Sequence, residues 1–278
     1  GFALDGQLGD DIWLLEGDPG AGGRLLRFAD HHDLDATATN VSLGRVPNGD
    51  PLADGASLFP LVGQTFGWAN ADFLVGPVVI SEVMYAPTIV PPPELDDDEL
   101  EYVELYNTSG GAVDVGGWKF RQTAGDDWLL PAGTVVASGG VLVLVGFDPI
   151  AEPAKDLAFR NAYALDSSVV LVGSYAGKLD NGGEAVEMLR PEDPAQPATT
   201  GFILVDRVTY GDAGPWPAGA AGLGDSLSRA RPDAFGNMAA SWTAAIPTPG
   251  SVSFVPALAG DYDRDGDVDG DDLDVWNA

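Results

Sequence analysis

Asp261, Asp263, Asp265, Asp267, Asp269 and Asp272 occupy positions 1, 3, 5, 7, 9 and 12 of one short stretch, with Gly266 at position 6. Oxygen donors at alternate positions, on a chain that must turn sharply at a glycine, suit a hard divalent cation. Ca²⁺ takes about six to eight oxygens, and a short loop supplies them from this set of positions, the seventh through its carbonyl. A run of like charge is more plainly a solvated linker. Here the alternate spacing, the glycine and the apolar Val268 all favour the loop. The sequence therefore predicts a Ca²⁺ site on these six aspartates, followed by a partial helix from Asp272 to Trp276.

Other reactive groups are dispersed. Glu101 and Glu104 stand three residues apart in one candidate strand, so their side chains leave opposite faces and do not make an acid–base pair. The plain expectation is one carboxylate hydrogen-bonded to a loop and one in solvent. Glu82, within an apolar segment, can meet Glu104 from a partner strand, and two such carboxylates need a cation or a shared proton. The acidic run 94–99 lacks a glycine and alternate spacing, which favours a solvated loop. His31 and His32 are the sole histidines. They lack a third strong ligand nearby for a transition metal and a Gly-x-Ser-x-Gly elbow for a serine triad. Trp118, Trp128, Trp216 and Trp242 suit a sandwich core better than a carbohydrate platform. Arg45 and Arg229 are expected to pair with carboxylates. Asn40 and Asn107 each open an Asn-x-Ser/Thr acceptor pattern.

Composition narrows the partners. The 278 residues carry 13 Lys plus Arg against 43 Asp plus Glu, a net charge of −30. Such a chain repels phosphate backbones and anionic membranes and attracts cations. The absence of cysteine excludes disulfides, thiol catalysis and thiolate-bound zinc. An acidic, calcium-dependent chain points to a calcium-rich extracellular setting. No basic-then-apolar leader opens the chain, and the longest apolar run, 135–145, is too short to cross a bilayer.

The elements that must carry these groups are strands. Thirty-seven glycines and 21 prolines separate short runs of Val, Leu, Ile and aromatics. Candidate strands are 78–85, 101–106, 117–121, 134–137, 141–147, 169–172, 185–189, 204–210 and 226–230. No amphipathic helix is expected before the last few residues. An internal repeat organises the chain: the run Asp11–Leu15 answers Glu184–Leu189, Arg24–Asp30 answers Leu204–Tyr210, Ser42 to Arg45 answers Ser226 to Arg229, and Thr65 to Gly67 answers Thr248 to Gly250. The serine-to-glycine distance is 25 residues in one copy and 24 in the other. Residues 1–72 thus read as the second half of a domain whose first half lies outside the chain, 77–253 as a complete copy, and 258–278 as the calcium segment.

The copy at 77–253 resembles the bacterial lamin-tail domain. The likeness runs through Val79, Ile80, Ser81, Glu82 and Tyr85, then Glu101, Glu104 and Asn107, then Gly117 and Trp118, the turn at 180–183, and Ser226 to Arg229. It implies an all-β, immunoglobulin-like β-sandwich. The calcium segment, an EF-hand-like loop, is similar to the first half of a type I dockerin repeat, which implies a cohesin partner. Gly270 and Asp271 replace the small hydroxyl residues usual at the cohesin contact, and a second loop would have to follow Ala278.

Together these features predict a non-catalytic, calcium-binding extracellular module of a larger bacterial protein. Its sandwich would act in adhesion, spacing or binding of a protein or polysaccharide, and it would take neither nucleic acid nor membrane insertion. Two rivals remain: the accessory region of an extracellular glycoside hydrolase or nuclease whose catalytic domain lies elsewhere, or a dockerin-bearing subunit that docks to a cohesin.

Overall fold

The computed structural model describes residues 4–46, 58–123, 127–196 and 199–255, with Gly260, Val268, Gly270 and Leu273. The chain divides into two compact units, Gly1–Leu74 with Arg190–Leu204, and Val75–Leu189 with Val205–Ala278. In the first, β1 (Asp10–Asp18) and β2 (Arg24–Leu34) form an antiparallel ribbon, while β3 (Leu43–Arg45) pairs with β4 (Leu58–Pro60). Asp18 turns the ribbon by accepting the Gly20 N–H at 2.9 Å. Large apolar side chains on that ribbon, among them Trp13, Leu14, Leu25 and Phe28, are exposed.

The second unit begins with β5 (Val78–Met84), β6 (Tyr102–Asn107), β7 (Val113–Asp114), β8 (Lys119–Gln122), β9 (Trp128–Leu129), β10 (Val135–Val136) and β11 (Val141–Val145). After helix α1 (Pro153–Ala162) come β12 (Leu171–Val172), β13 (Ala185–Pro191), β14 (Phe202–Thr209), β15 (Ser226–Arg229) and β16 (Trp242–Ala245). One sheet has six strands in the order β12-β11-β6-β5-β15-β16, and another has four in the order β14-β13-β8-β9. Their inner faces meet in one core: Val78, Ile80, Val103, Leu105, Leu142, Leu144 and Leu227 from the first sheet, and Phe120, Val186, Met188 and Val208 from the second. The fold is therefore an all-β sandwich, as the sequence leads one to expect.

Period-two alternation explains how the six-stranded sheet serves a second layer. On β11, Leu142 and Leu144 enter the sandwich core, whereas Val143 and Val145 turn outward. There they pack with Met84, Tyr102, Leu171 and Phe159 of α1. On β5 the alternation breaks. Val78 and Ile80 point inward, but so do Val83 and Tyr85. The register shift between Ile80 and Glu82 inserts Ser81 as an extra residue and reverses the parity. Glu82 and Met84 are thereby sent to the outer face, beside Glu104 and Tyr102 of β6.

The expectation of no helix before the C-terminal residues is corrected by α1. Pro153 opens it, where a missing N–H costs nothing. Lys155 bridges to Glu152 at 2.9 Å and to Glu99 at 2.5 Å, and Arg160 bonds Asp156 at 2.9 Å. Only Ala158 and Phe159 are fully covered. Such a narrow apolar contact leaves little 3.6-residue periodicity to read. Among the described residues no helix is long and apolar enough to cross a membrane.

Candidate functional site

The densest group of perturbed side chains lies on the outer face of β5 and β6. The strand register sets Glu82 directly opposite Glu104, the meeting across a strand pair that the sequence allows. Both are buried, at 2% and 0% exposure. Ser81, the bulge residue, donates its hydroxyl to Glu104 Oε1 at 2.7 Å, and the Gly250 N–H donates to Glu104 Oε2 at 2.7 Å. Glu82 Oε1 accepts the Ser226 hydroxyl and, at 3.0 Å, the Thr248 N–H. Among the described residues Glu82 Oε2 has no hydrogen-bond partner, nor has the buried hydroxyl of Tyr102. A cavity of about 120 Å³, lined by Glu82, Glu104, Ser228, Arg229, Thr248 and Ser251 among others, adjoins the pair.

Burial disfavours the charged form of both carboxyls. Glu104 is pushed up to about 8, mainly by desolvation and further by the charge of Glu82, against the opposing bonds from Ser81 and Gly250. Burial likewise raises Glu82, against the bonds from Ser226 and Thr248 and the adjacent Tyr102 hydroxyl. The expectation that one strand carboxylate faces solvent is overturned, because Glu101 is buried too. Its Oε2 accepts the Leu179 N–H at 2.7 Å, and desolvation raises it to about 8. The segment around Gly250 covers Glu104 within β6 and the loop at Leu179 covers Glu101 just before it, so alternation sends neither glutamate to water.

Arginines tie the strands from behind. The side chain of Arg229, 1% exposed, reaches Asp206 at 2.5 Å and donates to the Ile80 and Ala234 carbonyls at 3.1 and 2.5 Å. Arg45 pairs with Asp30 at 2.8 Å. Both arginines therefore meet carboxylates, as their recurrence suggests. Asp30 lies 15 residues before Arg45 and Asp206 lies 23 before Arg229, and the sequence sets Asp30 against Tyr210, so the two aspartates do not hold matching positions. The identities of Asp206, Ser226, Thr248 and Gly250 as partners are long-range facts that local pattern does not carry.

Other predicted residues fall as follows. Asp261, Asp263, Asp265, Asp267, Asp269 and Asp272 lie outside the described residues. Among the described residues no group of three or more His, Asp or Glu is placed to hold a metal. His31 stacks on Trp13 at 3.8 Å and its ring nitrogen contacts Asp11, while His32 meets Arg45 at 2.8 Å. Trp118 and Trp242 are core residues, and Trp128 and Trp216 pack against the core. The acidic run is largely solvated, as expected: Glu94, Asp96, Asp97 and Asp98 are exposed, while Leu95 is buried and Glu99 is held by Lys155. Asn107 is no surface acceptor, because it is buried and donates to the Gly111 and Val136 carbonyls at 2.8 Å.

Comparison with known proteins gives one firm likeness. The profile of the lamin tail domain matches residues 74–212. No curated protein sequence matches the chain. A solved structure of a DUF4876 family protein from Bacteroides thetaiotaomicron shares 10% identity over 95% of this chain and 94% of that one, with a TM-score of 0.37. At that level the likeness fixes neither fold nor function.

Proposed function

Since the chain belongs to the lamin tail domain family, we propose that it is a non-catalytic extracellular module of a larger bacterial protein. Its sandwich spaces or presents binding surfaces, and its C-terminal segment binds Ca²⁺. One observation carries the sandwich half. The buried carboxylates Glu82, Glu101 and Glu104 are each engaged by loop N–H or hydroxyl groups, so they hold the frame together. The calcium half rests on the spacing of Asp261, Asp263, Asp265, Asp267, Asp269 and Asp272. A divalent ion there neutralises aspartates that otherwise repel one another, and so folds the segment.

Residues 1–72 act as the back half of a preceding copy. In support, a long hairpin, β1-β2, precedes a short pair, β3-β4, just as β13-β14 precedes β15-β16. In both, the arginine of the short strand pair meets an aspartate, Arg45 with Asp30 and Arg229 with Asp206. The partners of the module are calcium and an extracellular protein, such as a cohesin, or a polysaccharide.

The test is a Ca²⁺ titration of the whole chain by calorimetry and backbone NMR. Resonances of 261–272 should shift on binding, and chelation should leave the melting of the sandwich unchanged. A chain that binds no calcium refutes the calcium half. Hydrolysis of a polysaccharide or nucleic acid by the purified chain refutes the non-catalytic half.

A further inference from the structure

Two carboxylates facing each other across a strand pair, both closed off from water, cannot both stay charged without a counter-charge. Their surroundings offer neutral donors, namely the hydroxyls of Ser81 and Ser226 and the N–H groups of Thr248 and Gly250. Arg229 lines the same cavity, but its guanidinium is committed to Asp206 and two carbonyls. The other titratable groups facing the pair are Tyr102 on β6 and Tyr163 at the end of α1. Burial holds both phenols above their ordinary range, Tyr102 with the charge of Glu82 adding to it. The Tyr163 hydroxyl is also spoken for, donating to the Leu100 carbonyl at 2.6 Å. Among the described residues no cation is left to neutralise the pair. One polar atom remains open, Glu82 Oε2, next to the unpaired Tyr102 hydroxyl.

We propose that Glu82 and Glu104 share a single proton and together form a pH-sensitive latch on the segment 248–251. The proton sits on Glu82 Oε2, which has only the Tyr102 hydroxyl beside it, and removes the repulsion between the carboxyls. Each glutamate can then keep its grip on a backbone N–H of the same short segment. Ionisation of both carboxyls puts two charges side by side in a closed site, and the pair relaxes by parting and admitting water. The segment it holds is the root of the C-terminal extension. Beyond it, among the described residues, the Val255 N–H to the Ala230 carbonyl, at 2.8 Å, and the Phe254 ring against Tyr106, at 4.8 Å, bind the chain to the sandwich. Loss of the proton thus loosens the segment 248–251, while the contacts of Phe254 and Val255 and the two-sheet core stay in place.

The experiment is native-state hydrogen exchange by NMR on the full chain, with protection factors corrected for intrinsic exchange, and ¹³C titration of the glutamate carboxyls. Between about pH 6 and about pH 9.5, protection at Thr248 and Gly250 should fall at least about tenfold, while amides of β11 keep theirs. The carboxyls of Glu82 and Glu104 should titrate as a coupled pair, one of them far above the ordinary glutamate range. The double variant E82Q/E104Q, which keeps the shape and cannot ionise, should abolish the pH dependence at Thr248 and Gly250. Should that variant not fold, the wild-type ¹³C titration decides alone. Independent titration of both carboxyls near the ordinary value overturns the latch, as does pH-independent protection at the two amides. Restoration of protection by Ca²⁺ at high pH also overturns it, because the pair would then be a cation site.

Discussion

Replacing Arg229 by Met should cost far more than removing its counterpart Arg45. Arg229 and Asp206 have side-chain exposures of 1% and 10%, against 25% and 44% for Arg45 and Asp30. Asp206 Oδ2 also accepts the Ile80 N–H at 2.8 Å, and the guanidinium lies 5.9 Å from the Trp242 ring centroid. Methionine fills the volume but leaves a carboxylate uncompensated and the Ile80 and Ala234 carbonyls without their donor. Breaking a buried pair in this way costs about 3–5 kcal/mol. An exposed pair contributes at most about 1 kcal/mol, so Arg45→Ala should fall within that. Urea unfolding followed by tryptophan fluorescence reports directly, since Trp242 lies beside Arg229. In the double variant R229M/D206N the carboxylate charge is gone, and the loss should be smaller than the sum of the single losses by about 1–3 kcal/mol. A cost for Arg229→Met no larger than that for Arg45→Ala, or strict additivity in the cycle, would refute the assignment of Arg229 to a buried, charge-paired anchor.

Two other perturbations have definite signs. Glu101 has a folded-state value of about 8, against an ordinary glutamate value of 4.5. Its stabilising contribution is therefore complete below about pH 4.5 and is lost as pH rises through about 8. Glu101→Gln cannot lose a proton, so it should be more stable than the wild type at pH 9 by a few kcal/mol, with a flatter profile in thermal melts across pH. Gly183 has φ +117°, and a Cβ there would sit 2.4 Å from the Tyr210 carbonyl oxygen. Gly183→Ala should cost at least about 2 kcal/mol, measured by urea unfolding, because backbone rather than a flexible side chain must move.

Much of the sandwich is legible in the sequence because alternation has a physical origin. Leu142, Val143, Leu144 and Val145 all read as a strand, and the structure divides them between two apolar layers. The Val78–Met84 strand lacks clean alternation for a reason invisible in a local window, the extra residue at Ser81. The ribbon β1-β2 is absent from the candidate strands because its own pattern is apolar on both faces, with Trp13, Leu14 and Leu15 all exposed. Helix α1 escapes notice because two covered residues, Ala158 and Phe159, suffice to dock it. At the candidate site the facing of Glu82 and Glu104 follows from strand pairing. Their burial does not, because the loop that covers them, around Thr248 and Gly250, is more than 140 residues away along the chain.

The bulge at Ser81 makes β5 a strand of two grammars. Up to Ile80 its even-numbered side chains build the sandwich, and from Glu82 onward they join the outer layer, Glu82 facing Glu104 and Met84 packing under α1. Excising that one residue would restore regular pleating and force a choice. Either the carboxylate would be driven into the oily interior, or the whole first segment would be turned inside out. An insertion or deletion between Val78 and Met84 would shift the same parity, so the strand tolerates substitution far better than a change in its residue count.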